Sequence, residues 1–208
     1  MRAETAPDRG RLERRMAELA RIGADGNGLS RLGLSAEERQ AQDLVGSWLA
    51  ALGGRVRRDA AMDLWCRFGG SGPAIVVGSH LDSVPQGGRY DGTLGVLCAV
   101  ETLEVLVASG VPLVRPIEVV AWSNEEGRFG IGLFGSSATF GYLPPDVGDR
   151  REQATISVRD ALAALGSDEP PDAARRPPGR KSRPVSRSAA LLKATPPTVP
   201  NTRIRPRV

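Results

Sequence analysis

Five side chains suited to metal chemistry follow two apolar runs of the sequence. His80 is the only histidine among the 208 residues, and Asp82 and Asp91 follow it in a Gly-rich segment. Glu125 and Glu126 are adjacent and follow the second apolar run. Zinc accepts imidazole nitrogen and carboxylate oxygen, and two ions about 3.5–4 Å apart need a carboxylate shared between them. The combination predicts a site for one or two divalent cations.

The order of these residues suggests a role for each. His80 and Asp91 could reach one ion from a single loop, and Asp91 could also lean toward a second ion held by Glu126. Asp82 is placed to accept the other imidazole N–H and to fix the tautomer, which leaves Glu125 free as a general base. A lone histidine or a Glu pair is more often structural or solvated surface. The joint order is the specific feature, and it favours a site.

A βαβ unit is predicted to position both clusters. Residues 74–79 and 115–123 are short apolar runs, typical of strands buried on both faces. The segment between them predicts a loop over 80–92 and then a helix that ends near Gly110. This order implies a parallel pair of strands, and both acidic clusters then fall at the carboxyl ends of neighbouring strands.

Periodicity and capping residues predict the other elements. Ser35 and Glu38 have the spacing of a capping box at the start of a helix. The predicted helices cover 9–22, 36–52, 134–141 and 157–165, and the predicted strands cover 55–59 and 64–68. The fold class expected from these elements is α/β, with a mostly parallel central sheet flanked by helices.

Charge divides the chain into two kinds of sequence. The net charge is +4, but ten of the 28 basic residues follow Asp172 and none of the 24 acidic residues does. The segment from 166 to 208 is rich in Pro, Arg and Ser and shows no hydrophobic period. We therefore expect one folded domain over 1–165 and a disordered basic tail over 166–208.

Other features bear on location and partners. The sequence has no apolar run of about 18 residues, so no membrane span is expected. The charged N-terminus lacks the apolar core of an export signal, which favours a cytoplasmic protein. Cys66 and Cys98 lie in apolar surroundings and are interpreted as buried free thiols.

At this point the sequence resembles the di-zinc amidohydrolases that include N-carbamoyl-L-amino-acid hydrolase and allantoate amidohydrolase. These are relatives of the aminoacylase and carboxypeptidase metallopeptidases. The segments that carry the resemblance are GSHLDSVPQGGRYDGTLGVL, NEEGRFG and LFGSSATFG, with support from RIGADGNGLSRLGLSAEERQAQDLV and DLWCRFGG upstream. The similar region runs from about residue 8 to 165.

The resemblance implies a metallopeptidase-type catalytic domain and a role for each candidate residue. His80 would bind one metal, Asp91 would bridge two metals, and Glu126 would bind the other. Glu125 would be the general base and Asp82 the orienting carboxylate. The implied chemistry is hydrolysis of a carbamoyl or amidine C–N bond in a small ureido acid. The implied cofactor is Zn²⁺, two per complete site, although Mn²⁺ or Co²⁺ would suit the same ligands.

Several departures from the family pattern change this expectation. The chain has no second histidine, and it lacks the inserted lid domain that carries the dimer interface in the family. Arg128 follows Gly127 directly where the family usually has one more residue, and Asp63 stands where the family commonly has Asn. We expect 1–165 to be the first part of a longer hydrolase, with weak or no activity alone.

The alternative interpretation is a non-catalytic remnant that binds polyanions through its basic tail. The tail contains no aromatic residue that could stack on bases. Nucleic acid is therefore not expected as a partner.

Overall fold

The computed structural model describes residues 6–26 and 28–176. These residues form a mixed sheet with helices, and a short two-stranded ribbon stands apart from that sheet. The helices are α1 (Arg9–Leu19), α2 (Ala36–Ala51), α3 (Thr93–Ser109), α4 (Phe134–Phe140) and α5 (Val158–Ala164). The strands are β1 (Ala24–Asp25), β2 (Gly28–Leu29), β3 (Arg55–Arg58), β4 (Leu64–Phe68), β5 (Ile75–His80) and β6 (Ile117–Trp122). The α/β class and nearly all the predicted elements are confirmed.

Local sequence accounts for the ends of the helices. The Ser35 hydroxyl accepts a hydrogen bond from the N–H of Glu38, which starts α2 as predicted. The return bond of a capping box is not made, because the Glu38 carboxylate accepts from Leu34 N and Asn124 N instead. At the end of α3, Gly110 takes the left-handed conformation with φ 67°, a conformation that glycine adopts without steric cost.

The main sheet has the strand order β3–β4–β6–β5. β5 and β6 are parallel and α3 connects them, so the βαβ unit is confirmed. The other two pairings, β3 with β4 and β4 with β6, are antiparallel. The sheet is therefore mixed, and the mostly parallel arrangement that we expected is limited to the βαβ unit. The reason is that a short turn joins β3 to β4, and such a connection can only make an antiparallel pair.

Strand β5 lies at the edge of this sheet and is more exposed than the sequence predicts. Ile75, Val76 and Val77 are 51%, 41% and 40% exposed. Within the described ranges β5 pairs with β6 alone, so its other edge has no neighbouring strand. The prediction of a strand buried on both faces is wrong for β5. An apolar run predicts a strand, but it does not show which other parts of the chain cover that strand.

Two hydrophobic clusters support these elements. The larger cluster packs α1, α2 and α3 against one face of the sheet. The smaller one joins α4 and α5 to the segment 60–62. Cys66 is buried as expected, but Cys98 is exposed on α3, so the interpretation of both thiols as buried holds for the first only.

Residues 166–176 are folded, which corrects the predicted start of the disordered tail. The Ser167 hydroxyl donates to Ala60 O, and residues 171–174 form a 3₁₀ turn. Arg176 pairs with Glu118 at 2.7 Å and lies over the ring of Trp65. These contacts join distant parts of the chain, which a Pro-rich composition does not reveal. The rest of the predicted tail, 177–208, lies outside the described residues. None of the helices in the described ranges is long and apolar enough to cross a membrane.

Candidate metal centre

The βαβ unit brings the two acidic clusters to one edge of the sheet. His80 is the last residue of β5 and is in register with Trp122, the last residue of β6. The chain then continues to Asp82 on one side and to Glu125 and Glu126 on the other. Parallel strands end at the same edge, and this is where open α/β sheets carry their sites. The predicted meeting of the two clusters is therefore confirmed.

Three of the predicted residues form a cluster that could hold a metal ion. His80, Asp91 and Glu126 each offer one ligand atom, and these atoms all lie within 4.8 Å of one another. Nε2 of His80 is 3.8 Å from Oε1 of Glu126. One nitrogen and two carboxylate oxygens at this separation fit a first-row divalent cation. Their role as ligands stays a prediction.

Asp82 lies behind this cluster and contacts two of its members. Its carboxylate is buried, with Oδ1 3.3 Å from Nδ1 of His80 and Oδ2 accepting from the N–H of Glu126 at 2.9 Å. Nδ1 of His80 is also 3.1 Å from the backbone carbonyl of Asp82. Two acceptors beside Nδ1 favour a proton on that nitrogen, which leaves the Nε2 lone pair directed toward the cluster.

The charge around His80 changes its basicity. Burial by itself would lower the pKa of this imidazole, but the hydrogen bond and negative charge of Asp82, with a smaller effect of Glu126, raise it to about 9. A cation is therefore favoured at this position. Without a metal, His80 would carry that positive charge as a proton at neutral pH.

A glycine allows the turn that carries Asp91 to approach the imidazole. Gly92 has φ 60°, a left-handed conformation that side chains other than glycine rarely adopt. A Cβ at this position would collide with the ring of His80. The Gly92 N–H donates to Oδ1 of Asp91 at 3.0 Å. Replacement of Gly92 would push the loop away from His80 and open the cluster.

Glu125 lies beside the three clustered residues and is held by helix α4. Its two carboxylate oxygens accept from the backbone N–H of Ser136 at 2.9 Å and from its hydroxyl at 2.7 Å. Burial raises the pKa of this carboxyl despite these two bonds. Ser136 is not among the residues predicted for the site, although it lies in the segment FGSSATFG that carries part of the family resemblance.

Three buried charged residues near the site were also missed as functional candidates: Arg31, Glu38 and Asp63, each 1% exposed or less. Arg31 donates to Leu81 O, between His80 and Asp82, and to the hydroxyl of Thr93. Burial and the negative charge of Asp82 raise the pKa of Glu38 to about 8. The capping motif and the family comparison had drawn attention to Glu38 and Asp63, but no local pattern in the sequence shows that they are buried.

A cavity of about 290 Å³ opens beside Glu126 and is lined by Ser83, Val84 and Arg128 among others. The Arg128 guanidinium is already engaged, since it pairs with Glu152 at 2.8 Å and donates to Gly33 O. It is not free to hold a substrate carboxylate. A larger cavity of about 890 Å³ between α4, α5 and 167–175 contains none of the clustered residues, so we do not assign the chemistry to it.

Comparisons with known proteins indicate the family of the chain. Residues 66–169 match the sequence model of Peptidase family M28. The chain is 45% identical over 174 residues to N-carbamoyl-L-amino acid amidohydrolase of Geobacillus stearothermophilus, covering 80% of this chain and 42% of the relative. It is 33% identical to allantoate deiminase of Arabidopsis thaliana, covering 71% of this chain and 29% of that protein.

The solved structures show the same similarity. A hydantoinase/carbamoylase family amidase from Burkholderia ambifaria superposes with a TM-score of 0.76 at 37% identity, covering 82% of this chain and 43% of that one. The resemblance that the sequence motifs indicate is thus confirmed. The chain spans about two fifths of the length of these bacterial relatives.

Proposed function

The chain belongs to Peptidase family M28, and we propose that it is a metal-dependent hydrolase of linear C–N bonds in small ureido acids. N-carbamoyl-L-amino acids and allantoate are the two substrate types to test, because relatives named for each are similar to this chain. The observation that carries the proposal is the cluster of His80, Asp91 and Glu126 at the carboxyl ends of β5 and β6.

We assign these three residues as the metal ligands. His80 would bind through Nε2, because Asp82 engages Nδ1. Asp91 and Glu126 would bind through carboxylate oxygens. Zn²⁺ is the preferred candidate, with Mn²⁺ and Co²⁺ as alternatives that the same ligand types accept. When bound, the ion would supply Lewis acidity that polarises the scissile carbamoyl or amidine group.

Glu125 is the residue that we assign as general base. Ser136 donates a hydrogen bond to each carboxylate oxygen of Glu125, on the turn that also carries Glu126. Burial raises the pKa of Glu125 above its ordinary value, and a more basic carboxylate is a better proton acceptor. Asp82 would act through His80 and Glu126, since it contacts both and is itself buried.

The number of ligands leads us to expect one bound ion instead of two, and weak activity. The chain has one histidine, and the described cluster has three residues. Zinc in proteins is usually held by three or four protein ligands, and two ions would need more than this cluster offers. We therefore propose that this chain alone holds one ion, and that its hydrolytic rate is low for the same reason.

The test is ammonia release from an N-carbamoyl-L-amino acid and from allantoate, measured at high protein concentration with Zn²⁺, Mn²⁺ or Co²⁺ and with a chelator. Glu125→Gln should abolish metal-dependent release, because an amide cannot accept the proton. Glu37→Gln, on the exposed surface of α2, is the matched control and should behave as the wild type. Equal rates for wild type and Glu125→Gln with every metal would contradict the assignment.

A further inference from the structure

The turn that follows β6 is held by three buried carboxyl groups from three different parts of the chain. This turn, residues 123–126, carries both Glu125 and Glu126. The bonds run from Ser123 N to Asp63 Oδ1 at 2.8 Å, from Asn124 N to Glu38 Oε1 at 3.1 Å and from Glu126 N to Asp82 Oδ2 at 2.9 Å. Three of its four backbone N–H groups therefore donate to a side-chain carboxyl.

Three of the four carbonyl groups of the same turn also accept hydrogen bonds. They accept from the start of α4, with bonds from Gly135 N to Ser123 O, Phe134 N to Asn124 O and Leu133 N to Glu125 O. On the opposite side, a side chain at Gly33 would collide with Asn124. The turn is thus fixed on both of its polar edges and packed against the backbone of the segment before α2.

Burying carboxyl groups to accept from these N–H groups carries a large desolvation free energy. Asp63, Glu38 and Asp82 are each 1% exposed or less. A backbone carbonyl would accept the same bonds without burying an ionisable group, whose desolvation costs several kcal/mol in general. Arg31 is a buried cation whose charge reaches Glu38 and Asp82. All three carboxyl groups bond to the turn that carries Glu126, and a cation bound at Glu126 would favour their ionised forms.

We propose that Glu38 is a positioning residue for the ion site, because it holds the turn that presents Glu125 and Glu126, and that Asp63 supports the same turn from its other side. The part of this inference that concerns the ion rests on the proposed function. The part that concerns the turn rests on the hydrogen bonds alone.

An amide can replace the carboxyl group of Asp63 without loss of a hydrogen bond, but it cannot replace that of Glu38. Each Glu38 oxygen accepts one backbone N–H, from Leu34 at 2.6 Å and from Asn124 at 3.1 Å. Glutamine has one such oxygen, so one N–H would face an NH₂ group. Asp63 accepts one backbone N–H and one hydroxyl, that of Thr139 at 3.3 Å. A hydroxyl can rotate to accept from an amide, so asparagine satisfies both contacts.

The first measurement is amide hydrogen exchange of the metal-free full chain, followed residue by residue. Glu38→Gln should speed exchange at Leu34 or Asn124 by roughly tenfold to a hundredfold, the effect expected when one buried N–H loses its acceptor. Asp63→Asn should leave the exchange rate of the Ser123 amide within about threefold of the wild type, a smaller change than the loss of one such bond would cause. Glu101→Gln is the matched control, because Glu101 is equally buried but bonds to Arg11 and to Asp8 N at a distance from the site.

The second measurement is the affinity for Co²⁺ alone, from its visible absorption. Glu38→Gln should weaken binding by roughly 10–100-fold, as loss of outer-shell support does in general. Asp63→Asn and Glu101→Gln should stay near the wild-type value. Should Glu38→Gln not fold, Glu38→Asp shortens the reach by one methylene, and the same losses are expected. A wild type that binds no Co²⁺ would remove the proposed function. If the wild type binds Co²⁺, but Glu38→Gln has the same amide exchange rates and the same Co²⁺ affinity as Glu101→Gln, this inference alone is overturned.

Discussion

Replacement of Arg31 by methionine should destabilise the fold more than any other single loss of charge near the site. The Arg31 guanidinium is fully buried and donates four hydrogen bonds. Three go to backbone carbonyls, those of Leu81, Leu19 and Ile22, and one goes to the Thr93 hydroxyl at 3.0 Å. This one side chain therefore joins the end of α1, the loop after β5 and the start of α3.

The size of the effect follows from these contacts. A buried acceptor that loses its donor costs about 1–3 kcal/mol. Three carbonyls without a donor would then lower the free energy of unfolding by roughly 3–9 kcal/mol. Water that enters the vacated space would offset part of this loss. We expect a loss of about 4 kcal/mol, similar to the loss when one partner of a buried charged pair is removed. At a typical urea dependence of about 2 kcal/mol per molar, the midpoint falls by about 2 M. Arg31→Lys keeps the charge but loses the fork of donors, so about half of this loss is expected.

The assay is urea unfolding of the metal-free chain, followed by circular dichroism. Arg9→Met is the control, because the Arg9 side chain is 90% exposed and pairs with Glu13 on the same helix; its midpoint should not move. Variants that fold should also bind Co²⁺ more weakly, since Leu81 lies between His80 and Asp82. A midpoint for Arg31→Met equal to that of Arg9→Met would refute the reasoning, because the buried bonds would then contribute nothing.

The remaining predictions concern His80, its neighbour Asp82 and the exposed strand. His80 has a pKa raised to about 9 in the folded chain, so the folded state holds this proton more tightly than the unfolded state. Its stabilisation, roughly 3 kcal/mol, is complete below pH of about 6.5 and is lost as the pH rises through about 9; urea midpoints of the metal-free chain should fall over that range, and those of His80→Gln should fall less. Metal affinity should change in the opposite direction, because the same proton competes with the ion: Co²⁺ binding should strengthen by about tenfold per pH unit up to about 9, and a flat profile would exclude His80 as a ligand. Asp82→Asn places an NH₂ group beside Nδ1 and favours the tautomer with a proton on Nε2, so it should weaken Co²⁺ binding by roughly 10–100-fold; unchanged binding would show that Asp82 does not set the tautomer. Val77→Lys on the open edge of β5 should reduce self-association in sedimentation velocity, since a charged side chain discourages edge pairing, and equal sedimentation of both proteins would show that this edge is not where chains associate.

The sequence predicted most of the elements because their determinants are local. Ser35 before α2, Gly110 after α3 and the apolar periods of the helices act over a few residues, and the described structure has these elements close to the expected bounds. The position of His80 and of Glu125 and Glu126 at strand ends followed from the strand–helix–strand order. A helix that connects two neighbouring strands makes them parallel, so their carboxyl ends lie at the same edge of the sheet.

The sequence could not show which polar groups become buried together. Glu38 looked like the return partner of a capping box, but its carboxylate bonds to Asn124, 86 residues away. Asp63 reaches Ser123 across 60 residues, and Arg31 reaches Leu81 across 50. Contacts between residues so far apart in the chain produce no periodic or spaced pattern in the sequence.

The types of side chain that can bind a metal, and the strand ends that carry them, were determined by the sequence alone. Hydrophobic period and turn chemistry fix local backbone structure, and parallel strands must end together. The tertiary structure alone decided that Glu125 is held by Ser136, that Asp82 contacts both His80 and Glu126, and that β5 is the edge strand of the sheet among residues 6–26 and 28–176. These depend on which distant segments pack against each other, because desolvation and hydrogen bonding act on neighbours in space.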